Sequence, residues 1–294
     1  LEPCCHHGRT PPCMRAIARA GIVRVVIGMQ DPNPMVDGRG IAWLQEQGVD
    51  VRVGVEEAAC RAVNARFVRW VTTGMPHVTL KLAVTLDGRI ADRNGGARWI
   101  SGPASRRLVH RWRAAMDCVW VGSNTARLDD PLLLPTLVPM RRAPLRVVVD
   151  SDASLPLSSQ LVQTVGRGPV LVATREDADA KRVAALVAAG VEVWQAAPDG
   201  ERVPVKDLLA YLGGRGVSGV LVEGGAGLAA SLIREGLVDR LCVFVAPKLL
   251  GDPEATPMVA DLGISALADA RHFAVEGVRR VGDDVLIEMV PRGG

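Results

Sequence analysis

Strand-like apolar runs separated by helical patterns constrain this chain more than any other feature of it. Runs at 118–121, 145–149, 170–173, 191–194 and 219–222 read as strands. Helical patterns lie between several of them, at 103–115, 177–189, 205–212 and 228–235. Strands that alternate with helices predict an α/β domain built on a mostly parallel sheet. The C-terminal stretch breaks that rhythm. "RLCVFVAPKLL", "HFAVEGVRRV" and "DVLIEMV" read as strands, and no full helical pattern separates the last two. An antiparallel hairpin turning at Gly282 and Asp283 is expected there.

Upstream, "RVVIGM" reads as a short buried strand after a helix that follows Cys13, "GRGIAWLQEQG" as a helix ended by Gly48, and "VDVRVGV" as an alternating strand. "EEAACRAVNARFVRWV" reads as one further helix with acidic residues in its first turn. The turn-rich "TTGMP" then divides the chain into domains at 1–74 and 75–294, the second opening on a long strand in "HVTLKLAVTLDGRIA". At 294 residues each domain can bury its own core. A formal net charge of +3 admits anionic small molecules, and an aromatic content of 3% argues against a base-stacking, nucleic-acid-binding surface. No apolar run approaches the ~18 residues of a membrane span, and no signal-peptide pattern is present. Six scattered cysteines are not a disulfide framework and point to a reducing, cytoplasmic setting. A chain that opens on Leu1 inside a motif is expected to continue upstream.

Five constellations carry chemistry. In "LEPCCHHGRTPPC", Cys4 and Cys13 read either as two zinc thiolates or as inert thiols, since a catalytic zinc needs three protein ligands. In "GVLVEGGAGLAASLIREGLVD" an apolar strand ends at Glu223, and Gly224, Gly225 and Gly227 open a helix. Such a turn lets backbone N–H groups approach a phosphate, or serves only positive φ. Lys81 sits on an otherwise apolar strand and either reaches solvent at the strand end or does work. Trp99, ending a loop with Gly95 and Gly96, suits the aromatic tip of a mobile lid. In "VGSNTARLDDP", Asp130 precedes Pro131 and is expected to be extended, so that Asp129 and Asp130 point opposite ways and do not form a paired-carboxylate hydrolase site. Finally, Arg106, His110 and Arg113 fall on one face of the helix in "ASRRLVHRWRAA", with Leu108, Trp112 and Ala115 on another. That basic face is solvated or holds one phosphate.

Taken together, "LEPCCHHGRTPPC", "MQDPNP", "GRGI", "LKLAVTLDGRIA", "RWISGP", "LDDP", "VVVDS", "VEGGAGLAASL" and "VAPKLLG" resemble, in order over almost the whole chain, the bifunctional riboflavin-biosynthesis deaminase/reductase family. The resemblance implies part of a cytidine-deaminase-like zinc domain followed by a dihydrofolate-reductase-like domain. It implies NADPH-dependent reduction of the ribosyl group of 5-amino-6-(5-phosphoribosylamino)uracil to ribityl, after deamination of the preceding diaminopyrimidinone. Cys4 and Cys13 match the zinc thiolates, with His6, His7 and Arg9 between them near the deaminase substrate. The family's His-Ala-Glu stretch does not occur in these 294 residues, so deaminase activity is not expected of them alone. Ala83, Trp99, Thr125, Asp129, Ser151 and the run Gly225, Ala226, Gly227, Leu228, Ala229, Ala230 and Ser231 match positions that hold NADPH. Ala97, Arg113, Leu133 and Glu223 match substrate contacts. Lys81, Asp129 and Glu223 are the residues expected to act, the first two near the reacting sugar and Glu223 on the pyrimidine N–H donors. Thr136 stands where the family often has an arginine for the substrate phosphate, and Arg141 or Arg142 is the expected substitute. A homodimer or larger homo-oligomer is implied. The competing readings are a reductase of another pyrimidine or a pteridine, and a non-catalytic zinc-binding protein.

Overall fold

The structure is a computed structural model, and it describes residues 1–8, 10–197 and 202–292. The chain divides into two units, 1–77 and 78–294.

In the first unit α1 (Cys13–Arg19), β1 (Arg24–Ile27), α2 (Arg39–Glu46) and β2 (Asp50–Val53) lead to α3 (Glu57–Val63) and α4 (Ala65–Thr73). β1 and β2 pair in parallel, and Met14, Leu44 and Val49 form a small core. Glu2 organises the entry. Its buried carboxylate accepts backbone N–H groups from Asp31 at 3.0 Å, Gly38 at 2.9 Å and Gly40 at 3.1 Å. A Cβ on Gly40 would stand 2.0 Å from the Pro3 carbonyl oxygen, so that position admits only glycine. The single helix expected over "EEAACRAVNARFVRWV" is corrected to two. Asn64 leaves helical geometry at φ −97°, ψ 10°, and its Nδ2 donates to the Cys60 carbonyl at 2.8 Å. The side chain shares that carbonyl with the Asn64 backbone N–H, which donates to it at 3.1 Å, and such back-bonding bends a helix.

The second unit runs β3 (His77–Val84), β4 (Arg89–Ala91), α5 (Pro103–Ala115), β5 (Cys118–Gly122), α6 (Ser123–Asp129) and β6 (Leu145–Val149). It continues through α7 (Gln160–Gln163), β7 (Val170–Arg175), α8 (Ala180–Ala188), β8 (Glu192–Ala196), α9 (Val205–Gly214), β9 (Gly219–Glu223) and α10 (Ala226–Arg234). It closes with β10 (Arg240–Val245), β11 (Thr256–Pro257), β12 (Phe273–Val281) and β13 (Asp284–Pro291). Among the described residues nine strands form one sheet in the order β12-β13-β10-β3-β9-β5-β6-β7-β8. β5 through β8 pair in parallel, as do β5 with β9 and β3 with β10. The expected hairpin is present, β12 against β13, with Gly282 at φ +65°. One core packs α9 and α10 on one sheet face, through Leu208, Leu212, Leu228 and Leu232. Another lies under α7 and α8, and a third joins Val109 of α5 to Phe244 of β10. Coverage on both faces explains why the strands read as unbroken apolar runs.

The long strand expected in "HVTLKLAVTLDGRIA" is β3, His77–Val84, and the following β4 pairs with β11 in a separate two-stranded sheet. Gly88, at φ +74°, supplies the turn between them. β9 enters between β3 and β5 after the chain has wound outward to β8, so the order of connection reverses there. Ligands of open α/β sheets bind at the carboxyl ends of strands at such a reversal. Among the described residues no helix is long and apolar enough to cross a membrane.

Candidate active site

A cavity of about 950 Å³ opens at this reversal. Side-chain alternation on β3 aims Lys81 and Ala83 toward it, while Leu80, Leu82 and Val84 enter the core. Lys81 is mid-strand and half-buried, which removes the reading of a solvent-seeking lysine at a strand end. Burial pushes its ammonium below the ordinary lysine range, against the opposing pull of Glu223.

Helix α5 supplies the facing wall. Pro103 stands at its first position, and Asp284 secures its start. The buried Asp284 carboxylate accepts from Gly102 N at 2.8 Å and from Ser105 Oγ at 2.5 Å. Arg106, His110 and Arg113 all line the cavity, and Trp112 packs on Phe244 at 5.4 Å, so both faces of the helix fall where the sequence places them. Arg113 grips Glu223, the last residue of β9, with two parallel bonds, Nε to Oε1 at 2.5 Å and Nη2 to Oε2 at 2.9 Å. Burial raises the Glu223 carboxyl, but the Arg113 charge and its hydrogen bonds outweigh this and hold it below the usual range. Burial followed by the Arg113 charge pushes His110 down to about 4. Its Nδ1 accepts from Leu137 N at 3.2 Å, which leaves Nε2 as the protonated nitrogen of the neutral ring.

Asp129 is corrected in geometry. It is the last residue of α6, not part of an extended segment, and Asp130 follows in the left-handed region at φ +38°. The two still serve different ends. Both border the cavity, but Asp129 is half-buried there with burial lifting its carboxyl above the usual range, whereas Asp130 Oδ1 is taken up by Gln160 N, from which it accepts at 2.7 Å. Arg98 donates to the Asp129 carbonyl. Trp99 is exposed, and the Arg106 guanidinium stacks on its ring at 4.5 Å.

The glycine-rich turn closes the third side. Gly224 and Gly225 adopt φ of +74° and +91°, and a Cβ on Gly225 would come within 3.3 Å of Thr125 Oγ1. Nothing lies within 4 Å of where a Cβ would stand on Gly224 or Gly227, so the turn faces open cavity. Backbone N–H groups at the start of α10, with no side chain in the way, suit a phosphate of a dinucleotide. Ala97, Thr125, Ser151, Gly225, Ala226, Gly227, Leu228 and Ser231 line the same space. Ala229 and Ala230 do not: both are fully buried, and their part is packing. Leu133 borders the cavity, yet its side chain is sealed in the second core. Arg141 and Arg142 lie outside the cavity lining, and the basic groups that the sequence reading left out are Arg98 and Arg202.

In the first unit Cys4 and Cys13 approach to 3.0 Å between sulfurs, and each backbone N–H donates to the other sulfur. Hydrogen bonds from Cys13 hold the Cys4 thiol below its ordinary range. Among the described residues no group of three His, Cys, Asp or Glu side chains is arranged to hold a metal, so these residues do not make a complete catalytic zinc site. Arg9 lies outside the described residues.

A mostly parallel sheet with its cleft at the strand reversal, lined by a bare glycine turn and a buried charge pair, places this chain among α/β proteins with a ligand-binding cleft at the carboxyl ends of the strands. The RibD C-terminal domain matches residues 76–287. Riboflavin biosynthesis protein RibD of Actinobacillus pleuropneumoniae is 37% identical over 99% of this chain and 77% of its own length. That of Chlamydia muridarum is 42% identical over 97% and 76%. A solved RibD of Acinetobacter baumannii superposes with a TM-score of 0.84 at 33% identity, covering 99% of this chain and 79% of the other. A Thermotoga maritima diaminohydroxyphosphoribosylaminopyrimidine deaminase/5-amino-6-(5-phosphoribosylamino)uracil reductase gives a TM-score of 0.83 at 32% identity, over 99% and 78%. The chain belongs to the RibD family of riboflavin-biosynthesis proteins, and its second unit carries the reductase domain.

Proposed function

We propose that this chain reduces the ribosyl group of 5-amino-6-(5-phosphoribosylamino)uracil to ribityl with NADPH. The observation that carries this is the meeting, in one cavity, of the open glycine turn with Lys81, Asp129 and the Arg113–Glu223 pair. Gly225 to Leu228, Thr125, Ser151 and Ser231 would hold the dinucleotide, with Ala83 leaving room beside β3. When bound, NADPH supplies the hydride.

Reduction at C1′ adds one hydride and one proton as the bond from C1′ to the ring oxygen breaks. The chain's share is positioning and proton supply. Lys81 Nζ gives up its proton more readily than an exposed lysine, and Asp129 holds one more readily than an exposed carboxylate. Convergence of the two brings an acid to the opening ring oxygen. Glu223, kept ionised by Arg113, accepts the pyrimidine N–H donors. The Arg106 guanidinium and the His110 Nε2–H on the α5 face, with Thr136 also lining the cavity, take the substrate phosphate in place of Arg141 or Arg142.

The test is substrate-dependent NADPH oxidation by the purified chain. D129N is expected to lower kcat by about a hundredfold or more, as loss of a positioned proton donor does. Full activity in D129N would remove Asp129 from the chemistry. Cys4 and Cys13 are proposed as the thiolates of a deaminase-type site in the first unit, without deaminase activity in these residues alone. A homo-oligomer in the cytoplasm remains the family expectation, and sedimentation of the purified chain tests the assembly.

A further inference from the structure

The cavity continues past the glycine turn to the end of β6, where its chemistry changes. Ser151 lies just beyond β6, and its Oγ accepts a hydrogen bond from Val203 N at 3.3 Å. The preceding residue, Arg202, lines the same wall and donates from Nη1 to Ser231 Oγ on α10 at 3.3 Å. In the sheet, β6 lies beyond β5, whereas β3 with Lys81 lies on the other side of β9. This guanidinium therefore serves the end of the cavity away from the reacting groups. No carboxylate pairs with it among the described residues.

In dinucleotide sites a carboxylate at a strand end reads the ribose 2′-hydroxyl, and an arginine in that region accommodates a 2′-phosphate. Two carboxylates follow β6 here, and both are committed elsewhere. Asp150 is buried and accepts from Ser154 Oγ at 3.0 Å and Leu155 N at 2.8 Å. Asp152 faces the Arg175 guanidinium at 3.5 Å. What remains for a ribose at this end is a cation flanked by two hydroxyls, Ser151 and Ser231.

We infer that Arg202, supported by Ser151 and Ser231, reads the 2′-phosphate of an adenine dinucleotide and sets the preference of this site for NADPH over NADH. The inference rests on the dinucleotide reading above and goes beyond it by assigning the discrimination to one side chain. A phosphate monoester meets the planar guanidinium through charge-assisted bonds, whereas a free hydroxyl brings no charge to it.

The test is titration of the full chain with 2′,5′-ADP and with 5′-ADP, alongside KM for NADPH and NADH. The unmodified chain is expected to bind 2′,5′-ADP about ten- to a hundredfold more tightly, the range of one charge-assisted hydrogen-bond set. R202A brings the two affinities level, with the loss confined to the 2′-phosphorylated ligand, and R202K regains part of the difference. R202A that keeps the original ratio overturns the inference. An unmodified chain that binds both nucleotides equally and uses both cofactors alike overturns it too, and leaves the dinucleotide reading standing. One that binds neither and oxidises neither removes both.

Discussion

Arg113 and Glu223 are withdrawn from water together, with side-chain exposures of 14% and 9%. Removing one partner of such a pair strands a buried charge and costs about 3–5 kcal/mol. E223A is therefore expected to lower the denaturation midpoint sharply, and R113A E223A to recover part of the loss. The same denaturation series measures both. His110 carries a second prediction. Its folded value of about 4 lies below the ordinary 6.5, so the unfolded chain binds a proton that the folded chain refuses between those values. Stability from this group is present above pH 6.5 and is lost as pH falls toward 4. The acid-side fall of the midpoint is expected to be shallower in H110Q than in the unmodified chain. Lys81 stood out in the sequence as a charge on an otherwise apolar strand, whereas Asp129, beside Asp130, took its proposed role from the family resemblance. The Arg113–Glu223 contact was not legible there, since 110 residues separate its members. Nor was Arg146, hidden in the strand-like "LRVVV". It is fully buried, pushed down to about 10 by that burial, and donates to Leu132 O at 3.2 Å and Thr164 Oγ1 at 2.8 Å, steadying the cavity wall.

Elements place these residues, and the ends of the elements decide how firmly. α5 presents Arg106, His110 and Arg113 only if its first turn is held, and the holder is Asp284 in the distant hairpin. D284A leaves the Gly102 N–H without its side-chain acceptor and the buried Ser105 hydroxyl with only the longer bond to the Val281 carbonyl at 3.4 Å. It is expected to lose about 1–2 kcal/mol, as a lost helix cap does. The substrate KM should rise as well, while D284N keeps an acceptor and loses less. Steady-state kinetics beside denaturation separates the two effects. The turn before α10 is equally exacting. G225A would place a Cβ at φ +91° and within 3.3 Å of Thr125 Oγ1, so weaker NADPH binding is expected by fluorescence titration. Helical and strand periods in the sequence located most elements of the second unit. They missed α6 and the break at Asn64, because short polar helices carry no apolar stripe and a side-chain bond to the backbone leaves no periodic trace.

At the scale of the molecule the chain is two units, each with its own core. Residues 78–294 expressed alone are expected to unfold in one cooperative transition and to retain NADPH oxidation. E2A, which leaves three backbone N–H groups of the first unit without their buried acceptor, should destabilise that unit by about 1–3 kcal/mol per unsatisfied group and spare the reductase rate. Two-transition calorimetry of the full chain reads both. What the sequence determined by itself was the alternation of strand and helix, the hairpin at Gly282, the glycine turn after Glu223 and the family. The first three are local signals, set by side-chain period and by the φ that glycine permits, and the family came from the resemblance of motifs in order along the chain. The tertiary structure alone decided that β9 inserts between β3 and β5, that Asp284 caps α5, and that Arg113 closes on Glu223. Each joins residues far apart in the chain whose meeting depends on the packing of the whole sheet, for which no short stretch carries a pattern.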